Sequence, residues 1–254
     1  MIKVLIFFLL LLNCNYVLGR EKGQTEITTE DGIEVFQEDK YYLLKKNVEI
    51  LSDELQLEAQ LVKIFFGDGL YDIKELIAKE NVSFKSSQYQ INGKGNEVQF
   101  NIKNQTIFIN GLNSKLFLED TEMISDGIIN VDNFKGSFYI DGPNSKLVSE
   151  DILIIGSKID GGFEIIDGKR NIANLIVTDK EKLNIKTSDI NMFSKKAIYN
   201  KNKSIIELFE EVEIIRNNET ITGDYGILDT NKKSYKVSSN NSKKVKAIIL
   251  NSNE

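Results

Sequence analysis

Asn47-Val48-Glu49-Ile50, followed by Leu57 and Ala59, decides the fold because the chain states it three times. It returns as Asn81-Val82-Ser83-Phe84 with Ile91 and Gly93, and as Glu211-Val212-Glu213-Ile214 with Ile221 and Gly223. Counted from each valine, apolar residues recur at +2 and +9 and a small residue at +11. Residues two apart share a face of an extended strand. The spacing therefore predicts a β-hairpin: one strand holding the valine and its +2 neighbour, a polar turn, and a return strand ending on a small residue. A hairpin alone is marginal in water. Repeated hairpins gain stability by burying one continuous apolar face against their neighbours.

Outward from the repeat, the chain keeps a period close to two from Thr25 to Leu250. Ile33-Glu34-Val35-Phe36, Tyr41-Tyr42-Leu43-Leu44, Glu97-Val98-Gln99-Phe100 and Thr106-Ile107-Phe108-Ile109 are short β-rich runs, spaced as in an all-β sandwich or barrel. Asn92-Gly93, Asn110-Gly111, Asp126-Gly127, Asp141-Gly142 and Asp167-Gly168 predict positive-φ tight turns between antiparallel strands. Gly161-Gly162 reads as a loop. Two stretches, 52–66 and 188–199, carry some helical spacing, but their β-branched flanks favour strand. The repeat fits poorly between Pro143 and Asp179, so an irregular middle is expected around 143–186, with one lobe or two stacked lobes both compatible with the length.

Before this region, Lys3 precedes an apolar run from Val4 to Leu12, and Val17-Leu18-Gly19 offers a cleavage site. Residues 1–19 therefore read as a secretory signal peptide, being shorter than a membrane-spanning helix requires. Retention as an anchor, or lipidation at Cys14, are the alternatives. Residues 20–250 form the β domain and 251–254 a disordered tail. Cys14 is the single cysteine among 254 residues, so no disulfide is expected after cleavage. Histidine is absent, which removes the commonest general base and metal ligand. Net charge is −6 with both signs interspersed, which argues against nucleic acid as a partner. No metal site, cofactor or catalytic residue is expected. Acid pairs such as Glu30-Asp31, Glu119-Asp120 and Glu210-Glu211 lie beside turns and read as solvated charge rather than paired catalytic carboxylates.

Val48, Ile50, Leu57, Val82, Phe84, Ile91, Phe100, Val212, Ile214 and Ile221 would share the inward face. A packed core and an apolar trough for acyl chains are both consistent with that set. Lys45, Lys46, Lys115, Lys243, Lys244 and Lys246 stand either as solvated lysines or as a phosphate-facing rim. Stacked hairpins leave open edges at both ends, and unpaired edges invite strand addition.

These residues resemble a known family. Thr25-Glu26-Ile27-Thr28-Thr29-Glu30-Asp31-Gly32-Ile33-Glu34 is similar to the opening of the LptA/OstA family of periplasmic lipopolysaccharide-transport bridge proteins, here in a longer form. Asn47-Val48-Glu49-Ile50 and its two copies resemble that family's repeat, and Ile221-Thr222-Gly223-Asp224 resembles its continuation. Lys46, Glu80 and Glu210 stand where the family repeat carries glycine. The resemblance implies an elongated open β-jellyroll, a V-shaped pair of antiparallel sheets, that carries the lipid A part of lipopolysaccharide without catalysis. It implies edge pairing with an inner-membrane LptC-like protein and an outer-membrane LptD-like protein, and head-to-tail self-association. The closing strand, with Val245, Ala247 and Ile249, would be the partner edge. The rival readings are an LptC-like anchored relative and a structural or adhesive β-solenoid with a dry core.

Overall fold

The computed structural model describes residues 20–149, 152–239 and 244–249. The expected signal peptide, the tail and Lys243 lie outside the described residues. Those residues form twenty strands in one antiparallel sheet and no helix. The first six are β1 (Glu26–Thr28), β2 (Ile33–Phe36), β3 (Tyr41–Leu51), β4 (Leu55–Phe66), β5 (Ile73–Ser86) and β6 (Ile91–Asn101). The middle eight are β7 (Thr106–Asn110), β8 (Ser114–Leu118), β9 (Thr121–Ser125), β10 (Ile128–Asp132), β11 (Ser137–Asp141), β12 (Lys146–Ser149), β13 (Ile152–Ile155) and β14 (Lys158–Ile166). The last six are β15 (Lys169–Lys186), β16 (Asn191–Asn200), β17 (Ile205–Arg216), β18 (Glu219–Asp229), β19 (Ser234–Ser238) and β20 (Lys246–Ile249). The ambiguous stretches 52–66 and 188–199 are strands β4 and β16.

The sheet folds into two facing layers because its long strands bend. Pairing breaks register between Lys45 and Val48, between Lys79 and Val82, and between Phe209 and Val212, where two residues oppose one on the partner strand. The two residues on the longer side are left-handed each time: Lys46 and Asn47 (φ 61 and 47°), Glu80 and Asn81 (63 and 56°), Glu210 and Glu211 (65 and 54°). These pairs immediately precede the valines of the repeat. The motif therefore encodes a corner as well as a hairpin, a β-bulge that turns the strand from one layer into the other. At the first corner the Gln60 amide donates to Asn47 Oδ1 at 2.8 Å, bridging the interrupted ladder.

Layer I runs β2, β3, β4, β5, β6, β7, β10, β11, β14, β15, β16, β17, β18, β19, using the halves of the long strands that follow or precede each corner. Layer II runs β1, β3, β4, β5, β6, β8, β9, β12, β13, β15, β16, β17, β18, β20 with the other halves. Corners lie along one long side. Hairpin tips from both layers face each other along the opposite side, which forms the mouth. This is the expected all-β, open jellyroll of two antiparallel layers.

The middle is built differently from the ends. There the chain passes between layers through short links rather than bent strands, and three of the glycine dipeptides expected as hairpin turns are these links. Asn110-Gly111, Asp126-Gly127 and Asp141-Gly142 each join strands that lie in different layers and do not pair with each other. Gly111 and Gly142 have φ of 125 and 135°, a region open to glycine and different from the Asp167-Gly168 hairpin turn, so these glycines turn a layer corner instead of reversing a hairpin. Only Asp167-Gly168, both at positive φ, joins two paired strands as expected. Asn92-Gly93 lies inside β6. A Cβ on Gly93 would sit 2.7 Å from Phe84 Cζ, so this glycine makes room for a ring rather than a turn. Gly161-Gly162, expected as a loop, lies in β14, where Gly161 makes room for the Phe138 ring and Gly162 faces the Asn174 side chain.

Inward side chains of the two layers interlock. Phe84 of layer II meets Phe100 of layer I edge-on at 4.9 Å, a favoured aromatic geometry. In the centre, Ile109, Leu116, Met123, Ile129, Ile140 and Leu147 are all 0% exposed. Each such side chain contributes about 1.5–3 kcal/mol by leaving water.

Candidate functional site: the mouth between the layers

Nine of the ten expected trough residues, Val48, Ile50, Leu57, Val82, Phe84, Ile91, Phe100, Val212 and Ile214, belong to this packed interior. Ile221 is half-buried near the C-terminal end. They are brought onto one face, as the alternation requires, and pack against the opposing layer, with Ile91 and Phe100 also lining a small pocket.

Open space lies instead at the mouth. A cleft of about 530 Å³ opens between the layers over the C-terminal block. Its floor is apolar, from Ile152, Ile172, Leu175, Ile190, Ile206 and Leu228, and Tyr199 stands in its wall. Burial pushes the Tyr199 phenol above its ordinary value, assisted by the nearby Glu164 carboxylate. Cations rim the cleft: Lys169, Arg170, Lys201 and Lys233. Asp189 at the same rim is held below the usual carboxylate range, first by the Ser188 hydroxyl and then by the charges of Lys233 and Arg216. Lys201 reaches Glu164 at 3.2 Å. A second, smaller pocket of about 30 Å³, lined by Tyr89, Ile91, Phe100, Ile107, Leu118 and Val131, lies on the other side of Arg170.

Arg170 at the start of β15 in layer I crosses to Glu119, between β8 and β9 in layer II. Its Nη1 donates to Glu119 Oε1 at 2.8 Å, and its backbone N–H donates to Glu119 Oε2 at 3.0 Å. Nε and Nη2 both donate to Asn133 Oδ1, at 3.0 and 2.7 Å. Nη1 also reaches the Tyr89 carbonyl at 3.4 Å. Both members of the pair are largely buried, 17% and 12% exposed. Glu119, expected as solvated charge, is thus an inter-layer partner. The sequence held no sign of it, because the ion pair joins residues 51 apart in a chain crowded with both charges.

Of the lysines considered as a rim, Lys45, Lys46 and Lys115 lie elsewhere. Lys45 and Lys46 pair with Glu34 and Asp31 beside the first corner, and Lys115 pairs with Glu122 on layer II. The mouth cations come from hairpin tips that carry no repeat. At the C-terminal end, Tyr235 of layer I donates to Glu219 of layer II at 2.6 Å. Beyond it β20 pairs with β18 on one side and is exposed throughout, with Ile249 66% exposed. Val245, Ala247 and Ile249 all lie on or beside this edge. Among the described residues no group of three or more Asp, Glu, His or Cys side chains is placed to hold a metal ion.

No protein-family model matches the chain, and no curated protein matches it. A solved structure similar to it is LptH, the LptA homologous periplasmic component of the conserved lipopolysaccharide transport device from Pseudomonas aeruginosa. The two share 11% identity over 52% of this chain and 95% of that one, with a TM-score of 0.44.

Proposed function

We propose that this chain is a non-enzymatic periplasmic carrier that takes the lipid A part of lipopolysaccharide between its two layers on the way from inner to outer membrane. The observation that carries the reading is the mouth cleft: an apolar floor beneath a charged rim, on which Lys169, Arg170, Lys201 and Lys233 stand beside Glu119, Asp120 and Asp189, suits an amphiphile with acyl chains and an anionic headgroup. The repeat supports it through its resemblance to the LptA/OstA family. Each buried CH₂ of an acyl chain contributes about 0.8 kcal/mol, so several chains on the floor give a firm but divisible grip. The nine packed inward residues take part only where the layers separate.

In this reading the exposed strand β20, with Val245, Ala247 and Ile249, adds a strand from an LptD-like or LptC-like partner or a second copy, and β1 and β2 offer the opposite edge. The test is site-specific photo-crosslinking in cells. A photoreactive residue at Ile172 or Ile190 is expected to yield a lipopolysaccharide adduct, with weaker adducts at Phe84 or Ile214. No adduct at any of the four overturns lipid carriage.

The dry centre favours a second reading, a structural β-solenoid that spans a distance without carrying anything. It expects edge pairing and no adduct in the same experiment.

A further inference from the structure

The cleft and the smaller pocket are consecutive stretches of one mouth, and Arg170 is a wall of both. What divides them is the contact of Arg170 with Glu119. The guanidinium is already fixed to layer I through two donors on Asn133, and Asn133 is itself held by its amide donating to Gln105 Oε1 at 2.9 Å. The carboxylate on layer II is therefore the exchangeable half of the arrangement. It accepts from Nη1 and from the Arg170 backbone N–H, two charge-assisted or polar donors that the oxygens of another carboxylate or a phosphate can also use.

We propose that Arg170 is an anion-exchange latch: the anionic headgroup of an amphiphile entering the cleft replaces Glu119 on the guanidinium, and the released layer II margin joins the small neighbouring pocket to the cleft. The inference rests on the carrier reading and adds to it a site, a ligand charge and an order of events. Apolar chain first settles on Ile172, Leu175 and Leu228. The headgroup then meets Arg170, with Lys169 and Lys201 at the same rim. Displaced Glu119 moves away with the β8–β9 tip, uncovering Ile91, Phe100 and Leu118 as further apolar floor. Nothing covalent changes; one carboxylate is exchanged for another anion.

The test measures binding of monomeric dodecyl phosphate, dodecanoate and the neutral dodecyl maltoside to the mature full-length chain by calorimetry. Glu119→Gln, which removes the competing charge and keeps the shape, is expected to tighten both anionic amphiphiles about tenfold and leave the maltoside unchanged. Arg170→Gln is expected to weaken the anionic pair about tenfold with the maltoside again unchanged, and Arg170→Lys to recover part of the loss. A phosphate gain larger than the dodecanoate gain identifies a phosphate headgroup as the natural occupant; equal gains identify anionic charge alone. Amide hydrogen exchange at 118–121 should rise when dodecyl phosphate is added to the unsubstituted chain and not to Arg170→Gln. Parallel changes for charged and neutral amphiphiles, or no change in either variant, overturn the latch while leaving the carrier reading intact. Failure of all three amphiphiles to bind the unsubstituted chain overturns both.

Discussion

The corner residues carry a local cost that the rest of the sheet offsets. A side chain with a Cβ in the left-handed region costs about 1–2 kcal/mol, and Lys46, Glu80 and Glu210 all sit there. Glycine at Glu80 or Glu210 removes that cost but gives the unfolded chain more freedom, a loss of about 0.4–1 kcal/mol. A net gain of roughly 0.5–1 kcal/mol is expected, read as a higher urea midpoint with an unchanged slope. Asn81→Val places a β-branched side chain in the same region and should lower stability by at least 1 kcal/mol. Serines carry the other local burden. Ser125 and Ser145 are nearly inaccessible and lie 3.1 Å apart, and Ser145 donates to the Gly142 carbonyl at 2.7 Å where the chain changes layer. Ser145→Ala leaves that part-buried carbonyl without its side-chain donor and should cost about 1 kcal/mol. Tyr225 gives a spectroscopic check. Its hydroxyl donates to Glu207 at 2.6 Å, and that bond, then burial, pushes the phenol from 10.0 to about 12. The raised folded value means the neutral phenol stabilises the fold fully below pH 10 and loses that contribution as pH rises through about 12. Ultraviolet titration of Glu207→Gln should show one tyrosine ionising at lower pH than in the unsubstituted chain.

At the scale of elements, the three copies of the repeat are not equivalent. Val48 pairs with Ala59 and Val212 with Gly223, both at the expected +11. Val82 pairs with Gly95, two residues later than in the first copy, because the β5–β6 hairpin runs one rung further past the corner before it turns. The small residue that the repeat places at 93 therefore opposes Phe84 instead of a valine. Gly93→Ala drives a methyl into that ring and the Lys115 carbonyl, and a cost of about 1–3 kcal/mol is expected. The corresponding change at Ala59, Ala59→Gly, should cost less, since nothing must move. Strand existence was legible throughout because alternation survives local irregularity. Link type was not: the same Asn-Gly or Asp-Gly serves as hairpin turn, layer crossing or strand interior. Which one it becomes depends on whether the next strand finds its partner in the same layer, a matter of neighbours distant in sequence.

For the whole molecule, layer I is a continuous ladder from β2 to β19, and at about 4.8 Å between strands it extends about 60 Å. Both ends leave the interior partly uncovered: Ile33 and Val35 of β2 are 50% and 45% exposed, and Ile249 lies at the other end. An added strand would pair a bare edge and cover these side chains together. Ala247→Pro, which removes a backbone donor from β20, is expected to weaken association with an LptD-like partner or a second copy while the circular dichroism of the sheet is retained. Unchanged association in a pull-down would remove β20 from the partner surface. Truncation in the dry centre acts differently: Ile140→Ala should cost about 2–5 kcal/mol through the cavity it leaves and should not change amphiphile binding at the mouth.

The sequence by itself determined the strands, their inward faces and the repeating hairpin, because side-chain alternation and turn chemistry act over a few residues. It also marked the valines that follow each corner, although the corners themselves are legible only once φ is known at Lys46, Glu80 and Glu210. The tertiary structure alone decided that the inward residues of the repeat pack against an opposing layer. It also decided that the open space lies at the mouth and that Arg170 meets Glu119 there. Those outcomes depend on which hairpin tips the folded sheet brings face to face, and no local pattern encodes a contact between two tips that follow different strands. The stretch around Val48 thus builds the frame, and the unrepeated tips around Glu119 and Arg170 give the frame its candidate site.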